Sequence, residues 1–222
     1  SFMEFANEVS ETLIVAKGLP LKGLTYAIDE PSDYQAFNLK IDSGKYMFDV
    51  KTPSTEIKNI EFHLPGRHNV MNALAALAMA DVYGVSLENI KQRLSTFKGV
   101  KRRFSYKIKA EDFVLIDDYA HHPAEINAVE SSIREMYPNE NILVVFQPHL
   151  FSRTRDFIDD FALALSKFDE VLLLEIYPAR EVSISGVNSE WLLSKITSKY
   201  KKITKKNNLV KDIKNSSAKV VA

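Results

Sequence analysis

Cysteine is absent from all 222 residues, which excludes disulfides and thiolate metal sites and is compatible with a cytosolic home. No net charge is present either. Lys and Arg total 29 against 29 for Asp and Glu, so the overall balance gives no argument for nucleic acid or an anionic membrane as partner. No uninterrupted apolar run approaches the ~20 residues of a membrane span. The start, Ser1-Phe2-Met3-Glu4-Phe5, lacks the basic and apolar regions of a signal peptide. The expectation is a soluble, cytoplasmic protein. Three catalytic fingerprints are also missing: a Gly-x-x-x-x-Gly-Lys-Ser/Thr phosphate loop, a Gly-x-Gly-x-x-Gly dinucleotide turn and a Gly-x-Ser-x-Gly elbow. His121 and His122 are adjacent and lack the His-x-x-x-His spacing that brings two imidazoles to one metal, so a zinc hydrolase fits poorly and no metal ligand is assigned.

With 45% hydrophobic residues, the chain can bury a sizeable core in one large or two ordinary domains. Phe2, Phe5, Ala6 and Val9 recur at helical spacing, so the chain is expected to begin inside an amphipathic helix and to be a fragment. Short strands are expected at 13–16 and 24–28. A hairpin is expected from 34–41 through Asp42-Ser43-Gly44-Lys45 to 46–50, with a third antiparallel strand at 56–63. An Ala-, Leu- and Met-rich helix is predicted over 70–83, stopped by Gly84, and a second from Ser86 to about Leu94.

A domain boundary is expected in the basic hinge Lys98-Gly99-Val100-Lys101-Arg102-Arg103, giving domains 1–99 and 100–222. Beyond it, strands at 104–108, 113–116, 142–146, 171–174 and 219–221 alternate with helices at 123–137, 155–166, 189–199 and near 209–214. That alternation predicts α/β architecture: a Rossmann-like, doubly wound, mostly parallel sheet following a partial domain of helices, short strands and a small antiparallel sheet. Lys201-Lys202 and Lys205-Lys206 read as a solvated face. The chain stops at what reads as a strand end, so its C-terminus too is expected to be cut short.

The predicted parallel sheet puts several polar loops where ligands bind, outside the carboxyl ends of strands. The densest is Asp117-Asp118-Tyr119-Ala120-His121-His122-Pro123, with two carboxylates, a phenol and two imidazoles between an apolar strand and a helix whose first turn holds Pro123 and Glu125. Asp118 or His122 could instead simply cap that helix. Gln147 to Arg155 and Ile176 to Glu181 follow the next two strands, the first with Arg153 as its best-placed charge for an anion. Earlier, Asn69 and Asn72 stand three apart on one helix face, able to read a purine edge; Asn69 fits a helix cap equally well. Arg102-Arg103 are either a phosphate clamp or two exposed cations.

Five strings, LPGRHNVMNALAA at 64–76, FKGVKRRF at 97–104, DDYAHHPAEI at 117–126, FQPHLFSRTRDF at 146–157 and IYPAREVSISGV at 176–187, resemble those of the Mur ligases, in family order and over most of the chain. The resemblance, closest to the alanine-adding branch, implies the later part of a central ATPase domain followed by most of a C-terminal domain. It implies ATP-dependent amide formation in the peptidoglycan precursor pathway: ATP and Mg2+ activate the lactyl carboxylate of UDP-N-acetylmuramate as an acyl phosphate, which L-alanine attacks. The UDP-binding domain and the phosphate loop with its magnesium ligands are then expected before residue 1, and the chain by itself is expected to be inactive. By motif match, His68, Asn69 and Asn72 surround the adenine; Arg103 and Asp117 or Asp118 reach the ribose and phosphates as the C-terminal domain closes. Tyr119 and His121 face the reacting carboxylate and the amino acid, and Arg153 pairs with the amino-acid carboxylate or the transferring phosphate. The chain departs from the family at Leu150, where some members carry arginine after Pro-His. Two other readings stand beside this one: a sibling ligase that attaches a recycled peptide to UDP-N-acetylmuramate, and a nucleotide-binding module without catalysis.

Overall fold

The computed structural model describes residues 2–42 and 45–222, so the residue expected to open the first helix, Ser1, and the predicted hairpin residues Ser43-Gly44 lie outside the described residues. The chain divides into two compact units, Ser1–Gly99 and Val100–Ala222.

The first unit carries the helix α1 (Phe2–Glu8) and a five-stranded sheet ordered β1-β2-β3-β4-β5, formed by β1 (Ile14–Ala16), β2 (Leu24–Ile28), β3 (Tyr34–Asp42), β4 (Lys45–Lys51) and β5 (Glu56–Phe62). The first three strands pair in parallel and the last two add antiparallel. Period-two alternation along β4 buries Tyr46, Phe48 and Val50. Irregular register near Asn38 and Asn59 is pinned by one carboxylate: Asp49 accepts the Asn38 amide at 2.9 Å and the Asn59 N–H at 2.8 Å. Both asparagines have positive φ, a conformation their short polar side chain tolerates. The sheet is covered by α2 (Arg67–Val82), which buries Val70, Ala73, Leu74, Leu77 and Ala78 on one face at helical spacing, and by α3 (Leu87–Thr96). The α2 helix starts three residues earlier than the sequence predicts, because Gly66, at φ 94°, is the N-cap.

The second unit is a six-stranded sheet ordered β10-β9-β8-β11-β7-β6: β6 (Ser105–Lys109), β7 (Val114–Asp117), β8 (Ile142–Phe146), β9 (Glu170–Leu173), β10 (Tyr200–Ile203) and β11 (Val220–Val221). All pairs are parallel except the edge strand β6. Central strands read as apolar runs because both faces are covered. Ile142, Val144 and Phe146 pack toward α4 (Pro123–Met136), α6 (Ile158–Leu165) and α7 (Ser189–Lys195), while Leu143 and Val145 turn to the other face with Leu209 and Ile213 of α8 (Leu209–Lys214). This is the α/β architecture the sequence predicts.

Three expectations are corrected. The helix expected from Arg155 begins at Phe151 and breaks at Phe157, giving α5 (Phe151–Asp156) and α6. The helix expected to run to Lys199 stops at Lys195, and of the lysines read as a solvated face Lys201-Lys202 lie in β10, while Lys205-Lys206 are exposed. The Lys201 ammonium donates to the Leu193 carbonyl at 3.0 Å and to that of Ile196, closing the end of α7, and Lys202 pairs with Asp212 at 2.6 Å. Among the described residues no helix is long and apolar enough to cross a membrane.

Candidate functional site

In the second unit the carboxyl ends of β7, β8 and β9 lie side by side along one edge of the sheet, β11 being inserted between β7 and β8. The β6 strand is antiparallel and its first residue, Ser105, pairs with Asp117, so the Arg102-Arg103 segment reaches the same edge. Beyond β7 the chain turns into α4. The side chain of His122 caps that helix, its Nδ1 accepting the Ala124 N–H at 3.4 Å, while Glu125 accepts the N–H groups of His121 at 2.9 Å and His122 at 3.2 Å. Capping, one of the two roles open for His122, is therefore the one its geometry shows.

Asp118 braces the turn. Its Oδ2 accepts the Phe104 N–H at 2.7 Å and its Oδ1 the Ala120 N–H at 2.8 Å, and the Tyr119 N–H donates to the Arg102 carbonyl at 2.9 Å. Asp117, half-buried, pairs with Lys107 at 3.2 Å and lies 4.0 Å from Arg102. The Arg102 guanidinium sits 4.7 Å and that of Arg103 5.8 Å from the centre of the exposed Tyr119 ring, and His121 meets the same ring edge-on at 5.2 Å. His121 Nδ1 is 2.9 Å from the Tyr119 carbonyl and 3.2 Å from Glu125 Oε2, whose other oxygen is 3.7 Å from Arg103. Burial pushes the Glu125 carboxyl up, but the His121 N–H, the neighbouring His121 and Arg103 charges and the His122 N–H outweigh it and hold its pKa below the ordinary value. Of the residues expected from the sequence, Asp117, Asp118, Tyr119 and His121 stand on or beside the turn after β7, and Arg103 is brought to it from the segment before β6. Glu125, read there only as a residue suited to the helix dipole, is the hub of the group; its spacing, three after the capping residue, signals the capping box but not the Arg103 contact.

The loop after β8 leads into α5 through Leu150, whose φ of 74° and ψ of 133° are strained for a side-chain-bearing residue. Its N–H donates to the Tyr177 carbonyl at 3.0 Å, Tyr177 returns an N–H to Pro148 at 2.8 Å, and the His149 and Tyr177 rings lie 5.4 Å apart. Ser152 donates its N–H, at 3.0 Å, and its hydroxyl to Glu181. Through these bonds the β8 and β9 loops form one structure. His122 joins it to the β7 turn by an edge contact with Phe157 at 4.8 Å. Arg153 lies on α5 with its Nη1 buried and without a hydrogen-bond partner, and His149 Nδ1 shares that condition.

In the first unit His68, Asn69 and Asn72 occupy the start of α2. The Asn69 amide nitrogen donates to the Pro65 carbonyl at 2.6 Å, so it does not cap the helix, a role that Gly66 takes; Asn72 is exposed one turn on. His68 and Met71 line a pocket of about 280 Å³ with Lys17, Tyr26, Ala27 and Ile28, and Arg67 on its rim pairs with Asp29 at 2.9 Å. That pocket had no signal in the sequence, because Lys17 and Tyr26 lie 51 and 42 residues before His68.

Residues 102–221 match the family described as Mur ligase, glutamate ligase domain, and residues 4–80 match the Mur ligase middle domain. The chain belongs to the Mur ligase family. It is 56% identical over 223 aligned positions to the UDP-N-acetylmuramate–L-alanine ligase of Flavobacterium psychrophilum, covering 100% of this chain and 50% of the relative. Against the protein of that name from Christiangramia forsetii the identity is 57%, covering 100% and 49%. The crystal structure of a UDP-N-acetylmuramate-alanine ligase from Thermotoga maritima superposes with a TM-score of 0.78 at 25% identity, covering 99% of this chain and 49% of that one. The chain spans about half the length of the curated relatives it matches.

Proposed function

We propose that this chain is the portion of an ATP-dependent ligase that joins L-alanine to the lactyl carboxylate of UDP-N-acetylmuramate, releasing ADP and phosphate, in the cytoplasm. The observation that carries the reading is the edge of the second sheet, where Arg103, Tyr119 and His121 cluster at the β7 turn and the partnerless guanidinium of Arg153 stands on α5, next to the His122–Phe157 contact that joins the two. The identity to the alanine ligases supports it.

A carboxylate is a poor electrophile. In the proposed reaction its oxygen takes the γ-phosphoryl group, the bond to ADP breaks, and the alanine nitrogen attacks the acyl carbon before phosphate leaves. Such chemistry depends on positioning and on neutralising charge. Arg103, exposed on one side, would hold a phosphate oxygen, with Asp117 and Asp118 keeping its segment against the Tyr119 turn. Tyr119 and His121 would face the reacting carboxylate and the amine. Arg153 would take the amino-acid carboxylate or the transferring phosphate, supplying its buried N–H with the acceptor it lacks. In the first unit Asn69 commits its amide nitrogen to Pro65, leaving its oxygen to accept from the adenine amino group, with His68 and Asn72 beside it. Among the described residues there is no group of three or more His, Asp or Glu arranged to hold a metal.

The test is ADP release by the full-length gene product with ATP, Mg2+ and UDP-N-acetylmuramate, given in turn L-alanine, glycine, L-serine and the recycling tripeptide. Turnover with L-alanine is expected. Preference for the tripeptide would replace this reading by the recycling ligase, and no turnover with any would leave a nucleotide-binding module.

A further inference from the structure

The carboxylate of Glu125 does more than a helix cap requires. Its two oxygens have separate partners. Oε2 accepts the N–H groups of His121 and His122 and lies 3.2 Å from His121 Nδ1; Oε1 faces the Arg103 guanidinium at 3.7 Å. Arg103 and Glu125 are 50% and 34% exposed in their side chains and His121 38%, so these pairs are screened by water and add little stability. Their effect is orientation. Both atoms near His121 Nδ1, the Tyr119 carbonyl at 2.9 Å and Glu125 Oε2, are acceptors, so the neutral ring carries its hydrogen on Nδ1 and presents Nε2 with a free lone pair. Asp118 holds the Tyr119 carbonyl from one side through the Ala120 N–H of the same peptide unit, and Glu125 anchors the His121 and His122 N–H groups that follow it.

We infer that Glu125 is a positioning residue that sets the tautomer of His121 with one oxygen and the attitude of Arg103 with the other, locking the amino-acid side of the proposed site to its phosphate side. The inference rests on the ligase reading for what the two groups act on, but the geometry it asserts can be tested without turnover. Functional groups must be held within about 0.5 Å of their working geometry by supporting contacts of this kind.

The division of labour makes the test specific. In Glu125→Gln the amide oxygen can stay at the Oε2 position and keep the cap and the imidazole contact, but the amide NH2 then faces the guanidinium, donor against donor. In Glu125→Ala both arms are lost. Long-range 1H–15N spectra of the 222-residue chain are expected to show neutral His121 as the Nδ1–H tautomer in the parent and in Glu125→Gln, and shifted toward Nε2–H in Glu125→Ala. In the full-length ligase, Glu125→Gln is expected to raise KM for ATP about fivefold or more with little change for L-alanine, and Glu125→Ala to lower kcat at least tenfold. A His121 tautomer unchanged in Glu125→Ala, with kinetics like the parent's and only a lower melting temperature, would reduce Glu125 to a cap and overturn the inference. Failure of the parent enzyme to release ADP, with the tautomer shift intact, overturns the ligase reading and leaves the positioning role standing.

Discussion

Replacing Arg153 by Met separates function from stability by sign. The Nη1 of Arg153 is buried with no acceptor, and among the described residues its guanidinium makes no hydrogen bond or ion pair. An unsatisfied buried donor costs about 1–3 kcal/mol, and more for a charged group. Met keeps the unbranched stem as far as the Nε position while removing the orphaned N–H groups, so Arg153→Met is expected to leave the second unit as stable as before or more stable by up to ~2 kcal/mol. At roughly 4 °C per kcal/mol for a unit of this size, that is a rise of up to about 8 °C in Tm. The chain has one tryptophan, Trp191, and it stands on α7 of the same unit, so its fluorescence in urea or on heating reports the relevant transition and not that of the first unit. Activity should move the other way. Loss of a charge-assisted bond to a substrate carboxylate or phosphate, about 1.5–3 kcal/mol, lowers kcat/KM about 10- to 150-fold. A variant that loses more than ~1 kcal/mol of stability while retaining parental kinetics would show that Arg153 is a structural cation and not a ligand-binding one.

Two further outcomes follow from the loops and the carboxylates. Leu150→Gly and Leu150→Ala remove the same side-chain packing but only glycine relaxes at φ 74°, so the glycine variant is expected to be about 1 kcal/mol the more stable in Trp191-monitored urea unfolding; equal stabilities would mean that the loop is not strained. The pKa of Asp212 is held down first by its bond from Lys202 and then by that from Thr204, that of Glu181 by Ser152, and that of Glu125 as described. Depressed carboxylates contribute stability above their unfolded values, near 4, and lose it as pH falls through the lower folded values. Unfolding free energy should therefore be flat from pH 7 to about 5 and fall below 4, and Asp212→Asn should make that fall shallower; an unchanged acid limb in the variant would refute the assignment.

Strands and helices were legible where burial imposes a period. Ile142–Phe146 is apolar throughout because both faces of β8 are covered, and Val70, Ala73, Leu74, Leu77 and Ala78 give α2 its stripe. What failed was decided by single contacts between distant parts of the chain. Tyr200–Ile203 pairs with β9 at the sheet edge, where lysines are tolerated, and its four residues carry no alternation to set against a solvated turn. The start of α5 at Phe151 depends on Leu150 adopting a conformation that no local preference would choose. In the same way the site's residue types could be read from the motif strings, while the hub role of Glu125 could not. That role arises from Arg103, which reaches Glu125 only because β6 runs antiparallel beside β7.

Backbone strain marks the same edge independently. Among the described residues of the second unit, the non-glycine residues with positive φ are Arg102 at 61°, Phe104 at 47°, Leu150 at 74° and Ala179 at 52°. Each such residue costs about 1–3 kcal/mol and persists only where surrounding bonds over-determine it. Those bonds are present: Asp118 holds the Phe104 N–H, the Tyr119 N–H holds the Arg102 carbonyl, Tyr177 and Thr154 grip Leu150 from either side, and the Glu181 N–H closes the turn that contains Ala179. The side chains of Arg102, Leu150 and Ala179 lie outside the core, so packing does not require the strain at those three positions; Phe104 is buried in the core of the unit. Of the strained positions, Arg102 and Phe104 flank Arg103, and Leu150 precedes the start of α5. A fold that needed these loops only as connections could relax Arg102, Leu150 and Ala179 with glycine, and at those three positions the cost is borne by side chains that contribute nothing to the core.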